Sequence, residues 1–259
     1  MNKMDSTTET IHQKSKKKCF WSPITICQWL LLFMINAHML PSLAGQNVTG
    51  QIIIDGEIYN GSNSRLLKGS GKAGRENRQA HNFKRVINNS GADVHFNWGQ
   101  RVSIEVIGDQ NLLSLIKTKV HQGVLSISAS QSYQTQLPLI VKLSAPDLRA
   151  FELNSAGDTK LIGLEGNVFE LNLNGSGDVI ATGRMHQLLA KLIGSGNIDT
   201  KDLLTEKTEI QIFGSGDANI YARNYLKAEI IGSGDILYYG KPATINQNII
   251  GSGDIESGD

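Results

Sequence analysis

The chain has 259 residues, of which 40% are hydrophobic, and it carries 25 Lys plus Arg against 24 Asp plus Glu for a formal net charge of +1. This length allows one or two domains with a sizeable core, and 27 glycines against 5 prolines indicate many tight turns. Both cysteines, Cys19 and Cys27, precede residue 45. A chain cleaved there has no thiol, which excludes disulfides and thiolate metal sites.

Residues 1–44 are predicted to be a signal peptide. A basic stretch at residues 14–18 precedes a mostly apolar run at 24–40, and Ser42-Leu43-Ala44 places small residues for cleavage after Ala44. Polar residues interrupt the apolar run, which is unlike a clean membrane span. A retained signal anchor is the alternative, and it is the one way in which we expect the chain to contact a membrane.

Residues 45–82 are predicted to be a polar, basic linker with one short strand at 51–54. Seven Lys or Arg and one acid, Glu76, lie in residues 61–85, with almost nothing to bury. The alternative is a basic arm that contacts anionic envelope polymers. Nucleic acid is not expected as a partner, because aromatic residues do not alternate with the basic ones.

Residues 83–148 are predicted to form a β-rich N-terminal module. Apolar and polar residues alternate at 92–98, 102–106, 124–128 and 139–143, a period typical of half-buried strands.

Residues 149–259 contain a glycine-rich turn that recurs six times. Five copies read Gly-Ser-Gly followed by Asp or Asn, and a degenerate first copy reads Ser-Ala-Gly-Asp. The acidic or amide position recurs after 20, 19, 20, 18 and 19 residues, which is the signature of a solenoid. The turn residues are Gly157, Asp158, Gly175, Gly177, Asp178, Gly194, Gly196, Asn197, Gly214, Gly216, Asp217, Gly232, Gly234, Asp235, Gly251, Gly253 and Asp254.

Apolar residues alternate on both sides of each turn. The second and fourth positions before the first glycine, and the first and third after the Asp or Asn, are mostly apolar, which predicts two inward-facing strands per repeat. We therefore predict an all-β fold: a parallel β-helix, or β-solenoid, of about 18–20 residues per coil. Glycine in the turns suits positive φ or close backbone stacking.

The Asp column has two interpretations. Stacked carboxylates about 5 Å apart repel one another by roughly 1 kcal/mol per pair in water. Either the side chains cap their own turns in solvent, or a cation such as calcium bridges them. We expect capping and no cofactor, with calcium as the lesser alternative.

No residue pattern predicts catalysis. The four histidines outside the predicted signal segment have no spacing relation to one another: His81, His95, His121 and His186. The densest charged cluster outside the turns suggests a solvated edge; it consists of Asp199, Lys201 and Asp202. Nucleophile-elbow, P-loop and paired-metal motifs are lacking. Five aromatic residues are candidates for stacking on glycans, although strand packing is the simpler role, and Tyr238 falls in an inward column. They are Trp98, Tyr221, Tyr225, Tyr238 and Tyr239.

The turns and their flanks resemble a known bacterial family. The Gly-Ser-Gly-Asp series, residues 145–148 (Ala-Pro-Asp-Leu), 237–243 (Leu-Tyr-Tyr-Gly-Lys-Pro-Ala) and 91–94 (Gly-Ala-Asp-Val) are similar to the auto-transporter adhesin head GIN domain family, formerly a domain of unknown function. The resemblance covers about residues 83–255. It implies a right-handed parallel β-helix at the cell envelope and brings no catalytic residues.

These observations predict an exported, non-enzymatic, adhesin-like binding module of the cell envelope, located in the periplasm, on the outer surface or secreted. An envelope or extracellular polysaccharide or protein is the expected partner, and the terminal coil is a candidate for self-association. Two alternatives stay open: a periplasmic structural or regulatory scaffold, and a polysaccharide-active β-helix enzyme.

Overall fold

The computed structural model describes residues 51–54, 57–60, 66–99 and 101–259, with side chains from residue 66 onward. The predicted signal segment and its cleavage site at Ala44 lie outside the described residues. Across the described part of the chain, no helix has the length and apolarity needed to cross a membrane.

Strands make up most of the described chain. In order they are β1 (Gln51–Ile54), β2 (Glu57–Asn60), β3 (Leu67–Lys68), β4 (Ala73–Arg78), β5 (Arg85–Asn89), β6 (Asp93–Trp98), β7 (Ser103–Asp109), β8 (Ile116–His121), β9 (Val124–Ala129), β10 (Tyr133–Gln134), β11 (Ile140–Ala145), β12 (Ala150–Leu153), β13 (Thr159–Gly175), β14 (Val179–Gly194), β15 (Ile198–Thr200), β16 (Leu203–Gly214), β17 (Ala218–Tyr221), β18 (Tyr225–Gly232), β19 (Ile236–Tyr239), β20 (Thr244–Gly251) and β21 (Ile255–Ser257).

The chain divides into two units, Met1–Gly61 and Ser62–Asp259. In the first unit β1 and β2 form an antiparallel pair, with Ile54 opposite Glu57. The sequence pattern predicts β1 alone. β2 differs from that prediction, although Asp-Gly, the dipeptide between the two strands in the sequence, is typical of two-residue hairpin connections.

The second unit contains the predicted solenoid, and each coil has two strand-bearing faces. We call the side on which strands enter the glycine turns the leading face: β5, β12, the later parts of β13 and β14, β16, β18 and β20. The side on which strands leave the turns is the trailing face: β6, the first parts of β13 and β14, β15, β17, β19 and β21. Successive strands on each face pair in parallel, one coil apart. The repeats thus form a parallel β-solenoid of about five turns, which confirms the predicted fold class.

The core lies between the two faces, at the positions that the alternation predicted. Equivalent residues of successive coils stack at the strand spacing of about 4.8 Å, so each apolar column is continuous. The buried members are Leu171, Leu173, Val179, Ala181, Ala190, Leu192, Ile198, Thr200, Ile210, Ile212, Ala218, Ile220, Ala228, Ile230 and Ile236.

The solenoid begins earlier than residue 149. β5 pairs in parallel with β12, and β6 with β13, so residues 85–98 are a coil of the same stack. This coil does not show the repeat spacing in the sequence, because β7 to β11 are inserted between it and the next coil. The distance from Asp93 to its counterpart Asp158 is therefore 65 residues rather than about 20.

The inserted strands cover the outer side of this first coil. β9 pairs in parallel with β5, and β11 pairs in parallel with β6, which adds one more rung to the stack. β8 then pairs antiparallel with β9, and β7 pairs antiparallel with β11. The order of rungs in space is thus not the order in sequence.

Part of the predicted linker is a strand at this covered end. β4 pairs antiparallel with β7 over six residues, although its side chains are mostly exposed. Backbone hydrogen bonds rather than burial hold it, which explains why a pattern of hydrophobicity did not reveal it. Arg78 adds an anchor, since its guanidinium donates to the carbonyl oxygens of Leu113 at 2.7 Å and Ile116 at 3.4 Å.

A buried carboxylate, Asp109, fastens this end of the molecule. It accepts backbone N–H groups from Gly71 at 2.6 Å, Gln136 at 2.9 Å and Leu137 at 3.0 Å, and its side chain is 0% exposed. Burial by itself raises the pKa of the Asp109 carboxyl, but hydrogen bonds from Leu137, Gln136 and Gly71 hold that pKa below its ordinary value of 3.8. The ionised side chain thus connects the end of β7 to two loops, one at Gly71 and one at Gln136 and Leu137.

We expect Asp109→Asn to lower the melting temperature by several degrees, because an amide presents N–H groups where a carboxylate oxygen accepted backbone N–H groups. The stabilisation by native Asp109 is fully present above pH 3.8 and is lost as the pH falls through the lower folded pKa. The native chain should therefore lose stability more steeply in acid than the variant. Thermal unfolding as a function of pH measures both effects. Asp202→Asn, at an exposed carboxylate, is the control, and an equal response of the two variants would contradict the assigned role.

Candidate functional site

Two glycines in each of the five Gly-Ser-Gly turns allow the coils to stack closely. The first has a positive φ, for example 138° at Gly214 and 143° at Gly232. A Cβ added at either would overlap the carbonyl oxygen of the equivalent glycine one coil earlier, and the same holds for the second glycine, such as Gly216 against Gly196. The predicted turn role is therefore structural, and it depends on the neighbouring coil.

The Asp and Asn residues of the turns form a hydrogen-bonded column that we call the Asx ladder. In each step a side-chain Oδ1 accepts the backbone N–H of the next residue in the column, at distances between 2.9 and 3.1 Å. The members are Asp93, Asp158, Asp178, Asn197, Asp217, Asp235 and Asp254.

The Asx ladder corrects the expected capping in two respects. Each side chain caps the backbone of the next coil rather than its own turn, so it links coils instead of closing one. Asp93 is also a member that the sequence analysis did not include, because the insertion separates it from the repeats. Its signal was present in the sequence as Gly91-Ala92-Asp93.

Asn197 reduces the repulsion within the column. Its Oδ1 accepts the N–H of Asp217 at 3.0 Å, and its Nδ2 donates to Oδ1 of Asp178 at 3.0 Å. The amide thus replaces one carboxylate contact by a hydrogen bond. Calcium binding along the column stays a prediction. Among the described residues, no three His, Cys, Asp or Glu side chains are grouped so that they could hold an ion.

The residues considered for catalysis are not brought together. His95 lies on the outer side of β6 beside Lys160, and its pKa is lowered by burial and then by the Lys160 charge, despite the opposing charge of Asp93. Lys201 forms an exposed ion pair with Asp199 at 3.2 Å. This pair has the expected character of a solvated edge.

The candidate aromatic residues do not form one row. Tyr221 and Tyr239 are register partners on the trailing face, whereas Tyr225 is on the leading face. Tyr238 packs against the core, as predicted from its column. Trp98 is 43% exposed near the covered end, and its indole N–H donates to the carbonyl oxygen of Pro146 at 3.1 Å.

The leading face carries an apolar row that the sequence analysis missed, which we call the apolar ladder: Ile193, Phe213, Ile231 and Ile250. The four residues are successive register partners on β14, β16, β18 and β20, and each directly precedes the first glycine of a turn. Ile193, Ile231 and Ile250 are 41%, 36% and 58% exposed. The signal in the sequence is the apolar residue directly before the first glycine of these four turns, a position that lies outside the predicted inward columns.

A polar column runs beside the apolar ladder, two residues earlier on each strand. Its members are register partners of one another on successive strands: Lys191, Gln211, Glu229 and Asn248. Glu229 accepts from the Gln211 amide at 2.9 Å and from the Asn248 amide at 3.3 Å. The Lys191 ammonium lies 5.1 Å from the centre of the Phe213 ring, a favourable cation–π distance.

Parallel coils, paired turn glycines and one covered end define the class of this protein, a capped parallel β-solenoid. Within that class the chain belongs to the family "Putative auto-transporter adhesin, head GIN domain", which matches residues 82–242. The resemblance identified from the turns is thereby confirmed.

Two solved structures share the fold. A putative adhesin from Bacteroides fragilis NCTC 9343 has a TM-score of 0.63 at 20% identity, over 74% of this chain and 99% of that one. A putative adhesin from Parabacteroides distasonis ATCC 8503 has a TM-score of 0.52 at 22% identity, over 74% and 99%. A search of curated proteins gave no match.

Proposed function

We propose that this protein is an exported, non-enzymatic, adhesin-like module of the bacterial cell envelope that binds an extended protein segment along the apolar ladder. The observation that carries the proposal is the ladder itself: four apolar side chains in register on a sheet face, three of them at least 36% exposed. Contiguous exposed apolar residues with a polar margin are typical of interaction surfaces, whereas single ones are ordinary.

The geometry of the ladder supports an extended partner. Four rungs at about 4.8 Å span roughly 14 Å, the length of a short extended peptide. The column of Lys191, Gln211, Glu229 and Asn248 beside it offers donors and acceptors for a polar backbone. Aliphatic side chains favour apolar side chains of a polypeptide over a glycan, which would stack on an aromatic row.

The family supports the envelope assignment and the adhesin-like role. The two structural neighbours are named as putative adhesins. A solenoid presents one contact position on each coil, so the weak contacts of single coils add up along an extended partner.

We expect Ile231→Lys to reduce binding at least tenfold, because it places a charge in the middle of the apolar ladder; tenfold corresponds to about 1.4 kcal/mol. The full chain and the variant would be compared on immobilised extracellular proteins and, in parallel, on polysaccharides. Ile180→Lys is the matched control, since Ile180 is 40% exposed and lies on the trailing face.

Selective loss of protein binding by Ile231→Lys supports the proposal. Binding to polysaccharide alone, or equal effects of the two variants, would overturn the assigned face.

Protease digestion of intact cells tests the location. Digestion from outside, with a recovered N-terminus near Gly45, supports an exported surface module. Protection until the outer envelope is opened would favour the periplasmic scaffold.

A further inference from the structure

The two ends of the solenoid differ in how their edge strands are covered. At one end β7 and β8 lie antiparallel on the stack. At the other end β20 pairs with β18 on one side, and within the described chain its second side pairs with no strand. All eight residues of β20 are exposed.

This uncovered edge exposes core positions. Ile245 and Ile249 continue the inward columns of the leading face, but they are 39% and 41% exposed. Their register partners one coil earlier, Leu226 and Ile230, are 0% exposed. The last coil therefore leaves two isoleucines of the interior in contact with solvent.

The uncovered edge also lacks the usual protection against strand pairing. Residues 244–251 read Thr-Ile-Asn-Gln-Asn-Ile-Ile-Gly and contain no charge and no proline. The outermost strands at the covered end are charged: β4 contains two arginines and a glutamate, and β8 two lysines. Charged residues and proline are how proteins keep edge strands from pairing with other chains.

We propose that β20 pairs antiparallel with β20 of a second copy of this chain, about a two-fold axis at Gln247. The segment 245–249 reads Ile-Asn-Gln-Asn-Ile, which is the same in both directions. Antiparallel pairing centred on Gln247 sets Ile245 of each copy opposite Ile249 of the other, and Asn246 opposite Asn248. A surface that is complementary to itself in this way is what a two-fold dimer requires.

This pairing gives hydrogen-bond partners to the backbone groups on the open side of β20, and it also buries the exposed interior residues of the last coil. Inward residues meet inward residues across the axis, because Ile245, Gln247 and Ile249 share one face of the strand. The two Gln247 amides face each other and can exchange hydrogen bonds. The leading faces of two copies then form one continuous sheet, with the isoleucines of both last coils buried against each other.

The test is the mass of the full chain in solution as a function of concentration, by analytical ultracentrifugation or by light scattering. We expect a reversible dimer of the native chain at micromolar concentrations. Gln247→Lys should weaken the dimer at least tenfold, because the two introduced amines meet on the axis. Gln187→Lys, the same change on an inner coil of the leading face, should leave the dimer unchanged.

A charge-swap mixture keeps the test independent of folding. Gln247→Glu alone should likewise weaken the dimer at least tenfold, and mixing it with Gln247→Lys should restore a dimer with one copy of each. A monomeric native chain, or a mixture that stays monomeric, would overturn the proposal.

Hydrogen exchange distinguishes pairing with a second copy from pairing of the β20 edge with another segment or another protein. We expect protection of the β20 amides to rise with protein concentration. Protection at all concentrations in a monomer would instead show that another segment of the same chain covers the edge, and would overturn self-pairing. Protection that requires a different added protein would equally overturn self-pairing.

Discussion

A chain carrying Gly216→Ala is expected to be less stable than the native chain by about 3 kcal/mol or more, because the added methyl overpacks the stack and breaks hydrogen bonds between coils. The new Cβ would overlap the carbonyl oxygen of Gly196 and press on the side chain of Leu192. The backbone must then move away from the preceding coil. That movement breaks the hydrogen bond from the Asp217 N–H to Asn197 Oδ1, 3.0 Å long.

Urea unfolding of the full chain, followed by circular dichroism, measures this difference. Ser215→Ala is the matched control, because Ser215 is the exposed neighbour in the same turn and its change should stay within about 0.5 kcal/mol. If Gly216→Ala were as mild as Ser215→Ala, close stacking would not be the reason for glycine at this position.

The second large effect is expected from Phe151→Ala, at about 4 kcal/mol, which is typical when a buried aromatic side chain is truncated. Phe151 is 0% exposed. It lies in register between Val86 of the first coil and Leu171 of the following one, so its removal opens a cavity where the covered end joins the repeats. Ile180→Ala, at an exposed position, should cost much less.

The shape of the unfolding curve is a further readout of the same variant. In a stack each coil contacts mainly its neighbours, so stability depends on the interfaces between coils. Weakening the interface at Phe151 should separate unfolding of the covered end from that of the repeats, which would lower the apparent steepness of the transition. A single transition of native steepness and native midpoint would contradict this role.

The repeats were predictable because their information is local and periodic. A Gly-Ser-Gly turn every 18–20 residues and an apolar residue at fixed offsets, such as Leu192 and Ile212, define a strand, its inward face and its neighbour at once. The inward columns therefore matched the structure coil by coil. In the last coil Ile249 has the predicted residue type, but no further coil of the described chain covers it.

The covered end was less predictable because its strands pair with strands that are far away in the sequence. The coil of residues 85–98 finds its neighbours 39 and 65 residues away, through β9 and β12. β4 is held by backbone pairing and by side chains such as Asp109, which leave no periodic pattern. The partner of each Asx side chain was also beyond reach, because a sequence shows which residue can cap but not which backbone is nearest.

The candidate site, too, was predictable from the sequence only in part. The Asp, Asn and Gly positions were recognised, but their interpretation changed once the neighbouring coil was known. The apolar ladder was present in the sequence as one residue before each turn. It gained meaning only when register placed Ile193, Phe213, Ile231 and Ile250 in one exposed row.

The order of rungs at the covered end has a consequence for the way in which the chain acquires its structure during synthesis. The first coil, β5 and β6, can pair with its outer neighbours β9 and β11 before any repeat has been made, because all of these strands precede residue 146. One side of that coil is then occupied, and the other side is free for β12 and β13. Each later coil can then add to one existing edge, so the topology allows assembly from the N-terminal end, with a paired edge available to every new coil.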